Sequence, residues 1–183
     1  MVAPYVDIIA RKAVEEGFAG MRFVDIGCGD FRVGCRLLNL CSSYVGVDIV
    51  RPLIELNKAK YGRPGVDFVQ LNVISDEPPD GNVCFVRQVF QHLSNEQISS
   101  VLPKLKKYRW VFITEHYPDG FHSKSPNIDK IHGADVRFYY DSGVYLSEPP
   151  FCLPADSLEF LLEVPVKSVG GGGVLRTYLY RPC

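Results

Sequence analysis

Apolar and polar positions along this chain alternate between two periods. Between residues 3 and 16, Val6, Ile9, Ala10 and Ala13 recur at i, i+3, i+4 and i+7, with Pro4 near the first turn and Gly17 at the C-terminal stop, which predicts an amphipathic helix. The run Phe23-Val24-Asp25-Ile26 then breaks into Gly27-Cys28-Gly29, a buried strand ending in a tight glycine turn. Val33, Leu37 and Leu38 stand at helix-compatible positions, so residues 31 to 40 are expected to form a helix whose N-terminal N–H groups face whatever the turn approaches. Residues 44 to 48 predict a second buried strand ending in a carboxylate, and Arg51-Pro52 opens a helix to about Tyr61. This βαβα alternation implies a parallel sheet with helices on its faces.

The alternation then shortens. Residues 66 to 71 predict a third strand with Asn72 at its exit, and the proline- and acid-rich stretch 76 to 82 leaves no room for a long crossover helix before the fourth strand, 83 to 87. Ser94 followed by Gln97 is a capping box, and Ile98, Val101, Leu102 and Leu105 form the buried stripe of the helix after it, with Pro103 kinking it or ending its regular part. Residues 110 to 115 predict a fifth strand. From His116 to about Asp156 no helical period is evident, and the segment is rich in Gly, Pro, Tyr and His, a composition that suits a functional loop better than disorder. The runs 158 to 166 and 174 to 180 are separated by a glycine tract too short for a crossover, so they are expected to pair antiparallel, with the tract as a flexible hairpin loop.

Composition narrows the class. With 183 residues, 46% of them apolar and 22% charged, the chain is expected to form one globular domain over residues 1–183. A formal net charge of −1 gives no positive field for nucleic acid or an anionic membrane, and Lys104, Lys106, Lys107 and Arg109 read as a solvated helix end. No apolar stretch is long enough to span a bilayer and the N-terminus lacks a signal-peptide pattern, which predicts a soluble, cytoplasmic protein. The six cysteines form no C-x-x-C pair and have no histidine at zinc-ligand spacing; no metal site is expected, the thiols are read as free, and Cys84 as core packing.

The stretches VDIGCGD (24–30), VGVDIV (45–50) and VFQHL (89–93) together resemble three motifs of the class I S-adenosylmethionine-dependent methyltransferases. That resemblance implies an α/β three-layer sandwich: a seven-stranded, mostly parallel sheet with an antiparallel C-terminal hairpin, and S-adenosyl-L-methionine as cofactor across the C-terminal edge of the strands. It implies that Gly27, Cys28 and Gly29 approach the methionine end and that Asp25 orients its ammonium group. Asp48 would accept from both ribose hydroxyls, Ile49 would pack on adenine, Asn72 and Val73 would stand at the adenine edge, and Gln88 near the methionine moiety. The family's usual third glycine is Phe31 here, with Gly34 further on. Arg32 stands where a dinucleotide oxidoreductase would need glycine. Asn-Pro-Pro-Tyr, the family's signature for methylating exocyclic or amide nitrogens, is absent after the fourth strand.

Methyl transfer from a sulfonium is an in-line displacement on an activated carbon, so positioning and desolvation do most of the work and a base is needed only for an acceptor that must lose a proton. His116 and Glu115 at the fifth strand's exit and His92 after the fourth are the leading candidate bases, with His122, His132 and the Tyr139-Tyr140 pair behind them. Residues 116 to 157 are expected to form a lid or acceptor-binding insertion, lined by Tyr117 and Phe121. The expected activity is methyl transfer to an oxygen or nitrogen of a small-molecule acceptor, with no nucleic-acid or membrane partner and no indication of oligomeric state. A non-catalytic, methyltransferase-like binding or regulatory module is the alternative.

Overall fold

In the computed structural model, which describes residues 2–118, 125–168 and 171–182, seven strands pair in one sheet. They are β1 (Met21–Ile26), β2 (Cys41–Asp48), β3 (Val66–Gln70), β4 (Val83–Arg87), β5 (Trp110–Pro118), β6 (Leu158–Ser168) and β7 (Gly171–Tyr180). Their order is β3-β2-β1-β4-β5-β7-β6. The first five run parallel, and β7 pairs antiparallel with both β5 and β6. The expected mixed sheet and C-terminal hairpin are therefore present. The glycine tract differs from expectation: Gly171 to Gly173 continue the β7 ladder opposite Ser168 to Val166, while Val169 and Gly170 lie outside the described residues.

Side-chain alternation divides the core by chemistry. One sheet face carries aromatic residues, Phe23, Tyr44, Phe68, Phe85 and Phe112, and packs against helices α1 (Val2–Glu15) and α2 (Arg51–Tyr61). The other carries aliphatic ones, Val24, Ile26, Val45, Val47, Val86 and Ile113, with Cys84, and packs against α3 (Asn95–Val101). Because successive strand residues face opposite ways and both faces are covered, the central strands β4 and β5 read as nearly continuous apolar runs. Each such side chain contributes roughly 1.5–3 kcal/mol when fully buried.

Helix α1 forms as expected, but its buried stripe is Tyr5, Ile8, Ile9, Lys12 and Ala13, with Val6 and Ala10 only half-buried. Lys12 is tolerated there because its Nζ pairs with Glu159 at 2.7 Å and Glu15 at 3.0 Å while its stem covers apolar surface. The capping box is formed on both sides: Ser94 Oγ accepts from the Gln97 N–H, and Gln97 Oε1 accepts from the Ser94 N–H. After Val101 the chain tightens into a 3₁₀ turn, Leu102–Lys107, at Pro103.

Two expectations are corrected. Residues 31 to 40 form no α-helix, only 3₁₀ turns at Gly34–Arg36 and Leu38–Leu40. Phe31 takes a left-handed conformation, φ 63°, and buries its ring against Tyr44, Tyr61 and Phe68. A Cβ at Gly34 would lie 2.3 Å from that ring, so the displaced glycine makes room for the phenylalanine that replaced one. The basic cluster is likewise more than a solvated helix end. Lys104 Nζ donates to the carbonyls of Val73, Ile74 and Asp76 at 2.8–3.0 Å, and Lys107 Nζ donates to that of Pro78 at 2.6 Å and pairs with Asp80. These ammonium groups satisfy the carbonyls of a β3–β4 connection that has no helix of its own.

Candidate active site

The C-terminal ends of β1 and β2 hold the glycine turn in place through backbone bonds. Gly27 and Cys28 both donate to the Val47 carbonyl, at 2.8 and 3.0 Å. Gly29 donates to Asp48 Oδ2 at 3.0 Å, and its carbonyl accepts from Asn57 Nδ2 at 2.7 Å. Asn57 is buried in the stripe that α2 presents to the core, three residues after Ile54. An amide in an otherwise apolar stripe is the signal that could have marked it. Gly27 has φ 73°, and a Cβ there would meet Val89 Cγ2 at 2.4 Å, so glycine is required both for the turn and for the approach of the β4 exit loop.

That exit loop is organised by Glu115. Its carboxylate is fully buried and accepts three backbone N–H bonds, from Val89 at 3.1 Å, Phe90 at 2.9 Å and Gln91 at 3.1 Å. Burial still pushes its pKa up to about 7 against the opposing effect of those donors. Before them stands Gln88, held at φ 58° with its N–H bonded to the Thr114 carbonyl. A non-glycine residue in the left-handed region at the mouth of a cavity is local strain maintained by its surroundings.

Two cavities open at this edge, and Gly27 and Gln88 wall both. The first, of about 480 Å³, lies on the α1 face and is lined by Val2, Tyr5, Asp25, Tyr44, Arg32 and Arg87 among others. Asp25 is buried, accepts from Tyr44 Oη at 2.9 Å, and has its pKa raised by desolvation to about 6. Desolvation likewise pushes the buried Cys28 thiol well above its usual range, so it stays protonated. The second cavity, of about 470 Å³, is lined by Asp48, Ile49, Asn72, Val73 and His92, and is closed on one side by His132 to Ala134.

Asp48 sits between two backbone donors: Oδ2 takes the Gly29 N–H and Oδ1 the Val50 N–H at 2.9 Å. Each oxygen keeps a second lone pair, so the carboxylate is oriented without being used up. Ile49 is half exposed over the cavity. Asn72 Oδ1 accepts from the Ile74 N–H at 3.1 Å, and its own N–H donates to Asp76 Oδ2 at 2.9 Å, which shapes the turn at the cavity rim.

The candidate bases are not brought together. His92 lines the second cavity, with Nε2 3.3 Å from Gln91 Nε2. His132 lines it too, its Nδ1 3.1 Å from Gln97 Oε1. His116 lines neither cavity; its ring stacks on Phe138 with centroids 4.4 Å apart. Tyr117 is buried and donates to the Val144 carbonyl, while Tyr139 and Tyr140 are exposed. Phe121 and His122 lie outside the described residues. Tyr5 and Arg87 were not singled out by sequence, because the first reads as helix stripe and the second as strand end.

The segment after β5 packs against the loop that follows β4. Arg137, almost fully buried, donates to the carbonyls of Leu93 at 2.7 Å and of Ile128, Gly133 N–H donates to the His92 carbonyl, and Asn95 Nδ2 to that of Asn127. Among the described residues, this segment reaches the second cavity and not the first.

Residues 24–107 match the family model described as a methyltransferase domain. No curated protein sequence matches the chain. Among solved structures, the N-methyltransferase NodS from Bradyrhizobium japonicum WM9, in complex with S-adenosyl-L-homocysteine, superposes with a TM-score of 0.65 at 10% identity, over 97% of this chain and 86% of that one. The magnesium protoporphyrin IX methyltransferase from Synechocystis PCC 6803, with S-adenosylhomocysteine bound, gives 0.59 at 12% identity, over 97% and 82%. At such identities the likeness is one of fold. The family match covers the glycine turn, Asp48 and the β4 exit, a little under half of the chain. Over residues 24–107 the chain thus matches a methyltransferase domain, within a fold like that of solved methyltransferases that hold S-adenosylhomocysteine.

Proposed function

We propose that the chain binds S-adenosyl-L-methionine and transfers its methyl group to an oxygen or nitrogen of a small-molecule acceptor held in the cavity beside Asp25. The observation that carries this reading is the size and form of that cavity. It has a volume of about 480 Å³, more than the amino-acid end of the cofactor fills, and it meets the second cavity at Gly27 and Gln88. A confined space of that size suits a small organic molecule. The magnesium protoporphyrin IX methyltransferase, by its name, also acts on a small molecule.

The bound sulfonium supplies an already activated methyl group. What the chain adds is placement. Asp48 receives the ribose hydroxyls on its free lone pairs, Ile49 covers the adenine, and Asn72 and Val73 form the rim that reads its edge. Asp25 takes the ammonium group, and the Gly27-Cys28-Gly29 backbone lets the ligand approach closely. Gln88 stands where the two cavities join. Glu115 acts as a positioning residue, tying the loop that carries Val89 to Gln91, and His116 supports Phe138 of the covering segment. His92, which lines a cavity, is the member of the three with access to bound ligand. With such an arrangement, orientation and exclusion of water carry the rate.

Incubation of the protein with methyl-labelled S-adenosylmethionine and a cell extract separated by size tests this directly. Label is expected in the small-molecule fraction. Label confined to protein or nucleic acid would overturn the reading.

A further inference from the structure

Arg87 closes β4 on the α1 face. Its neighbour two residues back, Phe85, is in register with Asp25, so the guanidinium stands above Asp25 in the same cavity. The other arginine there, Arg32, is largely exposed and paired with Asp30 at 2.8 Å. Arg87 has no such partner: no carboxylate among the described residues lies within ion-pair distance of it. Its Nη1 donates to Gln88 Oε1 at 3.0 Å, and its Nε is buried without a hydrogen bond to the described residues. The guanidinium carbon stands over the Tyr5 ring, 5.6 Å from its centre.

A half-buried cation on a cavity wall, with no carboxylate partner of its own, leaves its terminal nitrogens to a ligand. The Nη donors of arginine can meet the two oxygens of a carboxylate. Asp25 in the same cavity disfavours a polyanion such as phosphate, since its own negative charge faces the same space once ionised. A single carboxylate, or a zwitterion with its ammonium end toward Asp25, satisfies both groups together.

We infer that Arg87 is a carboxylate-reading residue of this cavity. The inference rests on the methyltransferase reading of the site. Two sources carry that chemistry: the amino-acid end of the cofactor, and an acceptor that bears a carboxylate.

Calorimetry and side-chain NMR on the wild type, Arg87→Met and Arg87→Lys distinguish them, with thermal melting to confirm that each variant folds. In the first arm, S-adenosylhomocysteine is compared with 5′-deoxy-5′-(3-aminopropylthio)adenosine, the same thioether without the carboxylate. If the cofactor is the source, the wild type prefers the former by about tenfold or more, Arg87→Met loses that preference, and Arg87→Lys retains part of it. In the second arm, protein saturated with S-adenosylhomocysteine is titrated with acetate and benzoate, and with acetamide and benzamide. If an acceptor is the source, only the acids move the Arg87 Nε–H resonance saturably, and Arg87→Met removes their binding. An unchanged preference in the first arm together with no saturable response in the second overturns the assignment while leaving the cofactor site intact. A folded wild type that binds neither thioether overturns the methyltransferase site itself, and the role of Arg87 with it.

Discussion

At the residue scale the most informative groups are the two carboxylates that line the cavities, Asp25 and Asp48. Asp25 has its pKa raised from the ordinary 3.8 to about 6 by burial, so its ionised form is disfavoured in the folded protein. The folded state therefore holds that proton more tightly than the unfolded chain, and the contribution of Asp25 to stability declines as pH rises from about 4 to about 6, then stays level. Asp25→Asn keeps an oxygen for the Tyr44 hydroxyl and removes the penalty. It is expected to raise stability at pH 7 by up to about 3 kcal/mol, readable from denaturant unfolding at pH 5 and pH 7. In the proposed binding mode the ammonium of the cofactor favours ionised Asp25. Affinity for S-adenosylmethionine should thus be flat above pH 6 and fall by up to about tenfold per unit below it, and calorimetry should show this slope vanishing in Asp25→Asn. Asp48 carries a different load, since its oxygens both orient the Gly29 turn and face the second cavity. Asp48→Ala is expected to weaken cofactor binding by at least ~10-fold, with Asp48→Asn between, because charge-assisted bonds contribute about 1.5–3 kcal/mol each and two on one rigid group do not add fully. A destabilised Asp48→Ala protein with wild-type affinity would assign Asp48 to the turn alone.

At the element scale, the connection between β1 and β2 holds no full helix. Phe31 and Gly34 account for it together, because the left-handed backbone at 31 stops a helix from starting there and its ring needs the space that Gly34 leaves open. Phe31→Ala keeps the unfavourable φ and removes a fully buried ring, so a loss of about 3–5 kcal/mol is expected in chemical denaturation, with the cofactor site loosened through Cys28, whose carbonyl accepts from the Phe31 N–H. A variant as stable as the wild type would show that the ring does not hold the turn. The 3.6-residue period of 31 to 40 was legible, yet periodicity reports which face is buried and not whether ten residues reach α-helical length. Strands fared better: 44 to 47, 83 to 86 and 110 to 113 are continuous apolar runs bounded by turn or polar residues, and the other four show as apolar stretches interrupted by single polar positions or short polar pairs. The capping box of α3 was equally readable, because its two bonds join residues only three apart.

At the scale of the whole molecule, a buried cation joins several backbone bonds in tying the segment after β5 to the β4 exit loop. Arg137 bridges the carbonyls of Leu93 and Ile128, joining the β4 exit loop to the segment that closes the second cavity. Arg137→Met keeps most of the bulk and leaves both carbonyls without this donor. Faster amide exchange is expected at Gly133, whose N–H bonds to the His92 carbonyl, with the sheet core unaffected. Unchanged protection at Gly133 would show that the segment is held by other contacts.

Sequence by itself determined the parallel sheet, the antiparallel hairpin, the glycine turn, the carboxylates near the exits of β1 and β2 and the methyltransferase motifs within residues 24–107, because each depends on residues close together in the chain or on a period of two or 3.6. Only tertiary structure decided the roles of Glu115, Arg87, Asn57 and Lys104. Their partners lie 24 or more residues away or, for Arg87, lie in a cavity shared by three separate elements. A buried polar side chain takes its meaning from the groups that folding brings against it. Glu115 and His116 are adjacent in sequence and both looked like bases, yet strand alternation turns one carboxylate into a buckle for three N–H groups and sets the neighbouring imidazole against Phe138.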